Sequence, residues 1–182
     1  MNRFVVIHGP NLNRLGKRDP SRYGHTTLAE ADAELQRIAA ELGINLEYIQ
    51  SNHEGALVDW LHERVDDIQG IVVNPASLTP YGRSLAQAIG EAGLPVAVVH
   101  ISAVYKGAKP GRVDLFAEVA DVVITGMGIK GYQVALRHLV ETFFEGSTEK
   151  VVAALLGGEV SRISREELDR LARLVAKEKK ES

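Results

Sequence analysis

The chain has 182 residues, 45% of them hydrophobic, with a formal net charge of −3; this suits one well-cored domain with room for an appendage and argues against a nucleic-acid or polyanion binder. Cysteine is absent, which removes disulfides, thiolate metal sites and a cysteine nucleophile, and fits a cytoplasmic protein. No run approaches the roughly 18 apolar residues of a membrane span, and Asn2 and Arg3 lead straight into an apolar strand, so neither a signal segment nor membrane anchoring is expected.

Strand-like and helix-like segments alternate along the chain. RFVVI (3–7) reads as a buried strand and is followed by a long loop, GPNLNRLGKRDPSRYG (9–24). Loops of that length inside a domain are often functional. Residues 28–42 carry apolar side chains at helical spacing, with a Thr27/Glu30 capping box at the start and Gly43 at the stop. INLEYIQ (44–50) alternates as a strand, and SNHE (51–54) reads as a second capping box that opens the helix EGALVDWLHERV. QGIVVN (69–74), PVAVVHI (95–101) and DVVIT (121–125) are further strands; helices are expected over about 81–92 and 131–145. Five βα units with strands apolar on both faces predict an α/β fold, a flavodoxin-like parallel sheet of order 2-1-3-4-5 with helices on both faces. Residues 1–146 are expected to form this domain, and 147–182 a C-terminal helical extension with helices at about 148–156 and 165–179.

Open parallel sheets bind ligands beyond the carboxyl ends of their strands. The residues that follow the strands here are Asn11, Asn13, Arg18 and Tyr23; then Asn52, His53 and Glu54; then Asn74, Ser77 and Thr79; then His100 and Ser102; then Gly126-Met127-Gly128. This set points to a small, polar, anionic ligand. Each Asn also suits a turn or a cap, and His53 suits a cap better than a ligand. His8, His25, His62 and His138 read as structural or solvated. His100 interrupts an apolar strand near its end, and Tyr23 stands in a loop with no core to fill.

Other chemistries fit less well. GMGIKG (126–131) matches a dinucleotide fingerprint but follows the last strand and not the first. His53-Glu54 begins like a zinc-binding helix, but residue 57 is Leu. Walker and nucleophile-elbow patterns are absent.

In this order, GPNLNRLGKRDPSRYG, QSNHEGALVDWLHE, VNPASLT, VVHIS and GMGIKGYQVALRHL resemble the type II 3-dehydroquinate dehydratases over about residues 3–145. The resemblance implies a flavodoxin-like enzyme without metal or cofactor that assembles as a dodecamer of trimers and dehydrates 3-dehydroquinate to 3-dehydroshikimate. It implies that the opening loop is a lid, with Tyr23 the catalytic base and Arg18 the cation beside it. A free phenol titrates near pH 10 and a guanidinium beside it favours the phenolate. Asn11 would hold the water that stabilises the enolate, and His100 would protonate the departing hydroxyl. Asn74 and the backbone amides of Ile101 and Ser102 would hold the carboxylate. The partners implied are a small anionic cyclic hydroxy keto acid and further copies of the chain.

The departures cluster. Pro80 replaces a substrate-contacting His of the family, Gln87 an Asp that reaches across subunits, and Val99 a Glu that orients the His. The Arg that binds ring hydroxyls falls on Gly111, with Arg112 one place off and Lys109 the other nearby cation. Three readings follow. The loop at 103–115 is rebuilt with Arg112 or Lys109 in that role. Alternatively, the same proton abstraction serves another hydroxy keto acid lacking the diol, with Tyr81, Arg83, Tyr105 or Lys106 lining the pocket. Last, the fold is a non-catalytic binding protein.

Overall fold

A five-stranded parallel sheet of order β2-β1-β3-β4-β5 organises the chain, as the strand pattern predicts. The computed structural model describes residues 2–108 and 111–145. The expected C-terminal extension (147–182) and Lys109 lie outside the described residues. In chain order the elements are β1 (Arg3–His8), a helical turn α1 (Pro20–Tyr23), α2 (Leu28–Glu41), β2 (Asn45–Gln50), α3 (Glu54–His62), β3 (Gly70–Asn74), α4 (Arg83–Glu91), β4 (Val96–His100), β5 (Val122–Thr125) and α5 (Lys130–Glu145).

Alternation along each strand divides the core in two. On β1, Phe4 and Val6 pack with Leu35 and Ile38 of α2 and with Leu136 and Leu139 of α5. Val5 and Ile7 point the other way, to Leu57 and Leu61 of α3 and Leu85 and Ile89 of α4. β1, β3 and β4 are buried on both faces, which is why they read as unbroken apolar runs.

The Thr27/Glu30 capping box forms in full: the Thr27 hydroxyl accepts from the Glu30 amide, and the Glu30 carboxylate accepts from the Thr27 amide. The second expected box does not form. Ser51 Oγ accepts from the His53 amide at 2.9 Å, and His53 is the N-cap of α3 without a side-chain cap bond. Glu54 is recruited elsewhere: its Oε1 accepts from the Leu85 amide, 2.9 Å away in the first turn of α4. That helix opens at Arg83, two residues after the expected start, behind Gly82, which has no side chain to cap it. A Cβ on Gly82 would lie 2.8 Å from Leu78 Cβ, so a Ser or Asp cap has no room there. Glu54→Ala is therefore expected to lower stability by about 1 kcal/mol, the usual worth of a helix cap. Urea denaturation checks this, with the midpoint falling at constant m.

Candidate active site

The carboxyl ends of the strands open into a cavity of about 1020 Å³. All eight predicted site residues line it: Asn11, Arg18 and Tyr23 after β1, Asn74 at the end of β3, His100, Ile101 and Ser102 at and after β4, and Arg112 in the β4–β5 loop. Arg18, Lys106, Arg112 and Lys130 also bring positive charge to the lining, and among the described residues no Asp or Glu lines it. Such a cavity favours an anion. Among the described residues, no three potential metal-ligating side chains cluster.

The loop after β1 is placed by a close backbone approach. The Gly9 amide donates to the Asn74 carbonyl at 2.8 Å, and a Cβ at Gly9 would lie 2.3 Å from the Pro75 carbonyl oxygen. Asn11 then takes the left-handed region at φ 66°, which Asn tolerates better than most residues. Asn52 braces this turn from the next loop, its Oδ1 accepting from the Asn11 amide at 2.9 Å. Thus Asn52, His53 and Glu54 do not line the cavity. β2 is the edge strand beyond β1, and its loop supports the site from behind.

Further along the loop, Asp19 caps α1 by accepting from the Ser21 amide at 3.0 Å, with Pro20 at the first helical position. This turn sets Tyr23 five residues beyond Arg18. The guanidinium lies 3.9 Å from the Tyr23 ring centroid and donates from Nη2 to the hydroxyl at 3.0 Å. A cation held against a phenol oxygen stabilises negative charge that develops there.

Asn74 is 3% exposed, and both ends of its amide are held. Its Oδ1 accepts from the Ala76 amide at 3.1 Å, which fixes Ala76 at φ 52°, and its Nδ2 donates to the Tyr132 hydroxyl at 2.9 Å. Burial pushes the Tyr132 phenol well above its ordinary range, so it stays neutral and donates onward. The next partner is His8 Nδ1 at 3.1 Å, and His8 Nε2 lies 3.0 Å from Asp32 Oδ1. A carboxylate accepts the Nε2 proton, which leaves Nδ1 as the acceptor for the phenol. His8, expected as structural, is thus a link in a chain, ended by Asp32, that orients Asn74.

His100 is 4% exposed, and its Nε2 lies 2.8 Å from Asp114 Oδ2. The same oxygen accepts from the Tyr105 hydroxyl at 2.6 Å, while Oδ1 accepts from the Phe116 and Ala117 amides, each at 3.2 Å. Burial raises the Asp114 carboxyl, but the His100 and Tyr105 hydrogen bonds, the His100 charge and the Ala117 amide outweigh it and hold the group at about 2, below the ordinary 3.8. Burial first, then the Asp114 contact, pushes Tyr105 up to about 12 against the opposing charge of Arg112, so Tyr105 is the donor. A carboxyl with a depressed folded value stabilises the fold above its unfolded value, and the gain disappears as pH falls through the folded one. Wild type should therefore lose about 2 kcal/mol more than Asp114→Asn between pH 4 and pH 2, measured by urea unfolding across that window.

Sequence reasoning missed Asp114, Tyr132 and the role of Asn52. For Asp114 a local signal exists: an Asp two and three residues before amides that need an acceptor, ahead of the turn at Phe116. For Tyr132 none exists, because its partners lie 58 and 124 residues away. Of the four residues suggested to line an altered pocket, Lys106 does so. Tyr105 turns to Asp114, and Tyr81 and Arg83 stand outside the cavity, with Tyr81 78% exposed. Gln87 bonds Glu91 on the exposed side of α4 at 2.7 Å. Val99 is fully buried in the apolar core. Gly111 has φ 82°, a conformation that disfavours Arg, and its neighbour Arg112 is among the cations that line the cavity.

The family model for class II dehydroquinases matches residues 2–140. A 3-dehydroquinate dehydratase of Bacillus pumilus is 44% identical over 140 residues, covering 77% of this chain and 95% of its own length. The 3-dehydroquinate dehydratase of Bacillus subtilis is 39% identical over 140 residues, with the same coverage of 77% and 95%. The crystal structure of a type II dehydroquinase from Propionibacterium acnes superposes with a TM-score of 0.71 at 34% identity, covering 77% of this chain and 97% of that one.

Proposed function

The chain belongs to the class II dehydroquinase family, and from that premise we propose that it eliminates water from 3-dehydroquinate to give 3-dehydroshikimate, as a hydro-lyase that needs no metal or cofactor. The observation that carries the proposal is the Arg18–Tyr23 contact, 3.0 Å from guanidinium to phenol oxygen, at the rim of a cavity lined with cations. Tyr23, as phenolate, takes the proton α to the substrate ketone. The electron pair moves onto the ketone oxygen, and Asn11 stabilises that enolate through a bound water. The enolate then reforms the ketone and expels the β-hydroxyl, which leaves as water with a proton from His100. Tyr23 returns its proton and His100 regains one through solvent. Asn74 and the amides of Ile101 and Ser102 hold the carboxylate, while Arg112 meets the ring hydroxyls. Closure of the 9–24 loop would bring Tyr23 over the substrate and exclude water.

Arg112 lines the cavity, which supports a substrate that keeps the ring diol over one that lacks it. Family membership also supports a cytoplasmic homo-oligomer built of trimers, which light scattering coupled to size exclusion tests directly. No helix among the described residues is long and apolar enough to cross a membrane.

The deciding experiment follows the ultraviolet absorbance of the conjugated product from 3-dehydroquinate. The expected result is turnover at an ordinary enzyme rate, roughly 1–1000 per second. Folded protein that gives no product would sink the substrate assignment.

A further inference from the structure

The acid in the proposed dehydration must present one ring nitrogen to the substrate and be protonated on it. His100 ends β4 with its side chain buried, and only one anion among the described residues touches it. That anion is Asp114, which comes from the far side of the β4–β5 loop with a side chain 5% exposed. The carboxylate is itself clamped. Two backbone amides hold Oδ1, and Tyr105, whose ring stands edge-on to the imidazole at 6.3 Å, holds Oδ2.

We infer that Asp114 is the positioning residue for His100: it takes the Nε2 proton and leaves Nδ1 as the nitrogen that delivers a proton into the cavity. The inference rests on the dehydration proposed above for its catalytic meaning, but not for its geometry. A carboxylate can only accept, so the neutral ring carries its proton on Nε2. When the ring takes a second proton, that proton sits on Nδ1, and the carboxylate 2.8 Å away stabilises the imidazolium until it is spent. Asp114 does both jobs without touching the substrate. The depressed carboxyl of Asp114 agrees with an anion that remains charged throughout the working range. The loop that carries Arg112 toward the cavity also carries Tyr105 and Asp114, so one segment sets both the ring contacts and the acid. Among the described residues, the other charged groups lining the cavity, Arg18, Lys106, Arg112 and Lys130, are all cations, and none can replace Asp114 as acceptor.

The test uses the full chain with 3-dehydroquinate. Asp114→Asn keeps its one oxygen for the two backbone amides and turns an N–H, where the carboxylate accepted, toward the imidazole. Its kcat is expected to fall about a hundredfold, within the range that a positioned acid contributes, with KM unchanged within about threefold. The alkaline limb of its kcat profile moves to lower pH, because the anion that favoured the imidazolium is gone. Asp114→Glu, which keeps the charge, recovers that limb. Tyr105→Phe, which removes one clamp and leaves the carboxylate, costs less than about fivefold. A folded Asp114→Asn protein with wild-type kcat and an unmoved limb overturns the inference. Nitrogen-15 spectra of the wild-type imidazole decide the geometry without any variant: protonated Nε2 in the neutral ring supports it, and protonated Nδ1 overturns it. That readout stands even if Asp114→Asn fails to fold. It also stands if wild type gives no turnover, a result that counts against the substrate and not against the Asp114–His100 pair.

Discussion

Tyr23→Phe is expected to lower kcat for 3-dehydroquinate by about a thousandfold or more while leaving ligand affinity within a few-fold. The substitution removes one oxygen atom. The aromatic ring remains, and with it the stacking of Arg18 at 3.9 Å from the centroid. The turn that places the ring is capped by Asp19, with Pro20 at its first position. What disappears is the only atom of that side chain able to take a proton, and general bases contribute roughly 10²–10⁴ in rate. Product affinity by calorimetry, beside turnover by absorbance, separates the two effects. A variant that keeps a tenth of wild-type kcat would remove Tyr23 from the chemistry and return attention to His100 alone.

Gly9→Ala is expected to be the most damaging single-methyl change near the site, costing about 1–3 kcal/mol of stability and most of the activity. The added Cβ would meet the Pro75 carbonyl oxygen at 2.3 Å and its carbon at 2.7 Å. Both atoms are backbone, so no rotamer change relieves the contact. Separation of the two loops would break the Gly9–Asn74 bond of 2.8 Å and pull Asn11 away from the Asn74 side of the cavity. Gly55→Ala is the control. It lies in α3, nothing stands within 4 Å of its Cβ, and Ala is the better helix former by about 1 kcal/mol. Urea unfolding of the pair, with kcat for each, checks the contrast. If Gly9→Ala matched Gly55→Ala in stability, the close approach would not be what sets the loop.

Periodicity alone carried the strand and helix pattern. Apolar runs flanked by Gly, Pro and capping residues are local facts, and a chain of alternating β and α segments with doubly buried strands has few ways to close. The strand order 2-1-3-4-5 follows from that pattern. Six of the site residues, Asn11, Arg18, Tyr23, Asn74, His100 and Ser102, were legible for the same reason, because a parallel sheet gathers whatever follows its strands at one edge; Ile101 and Arg112 came from the family resemblance alone. Tertiary structure alone decided which groups support them. Ser51 and Glu54 have the spacing of a capping box, yet Glu54 finds a better-placed donor on a neighbouring helix whose own cap position is a buried glycine. Asn74 is oriented by a tyrosine 58 residues later and, through it, by His8 and Asp32. His100 faces an aspartate 14 residues on, across a loop with no periodicity to read. Local spacing reports which backbone conformation a segment prefers; a buried hydrogen-bond donor takes the acceptor that the packed chain brings within 3 Å, and that choice is made only once both segments are in place.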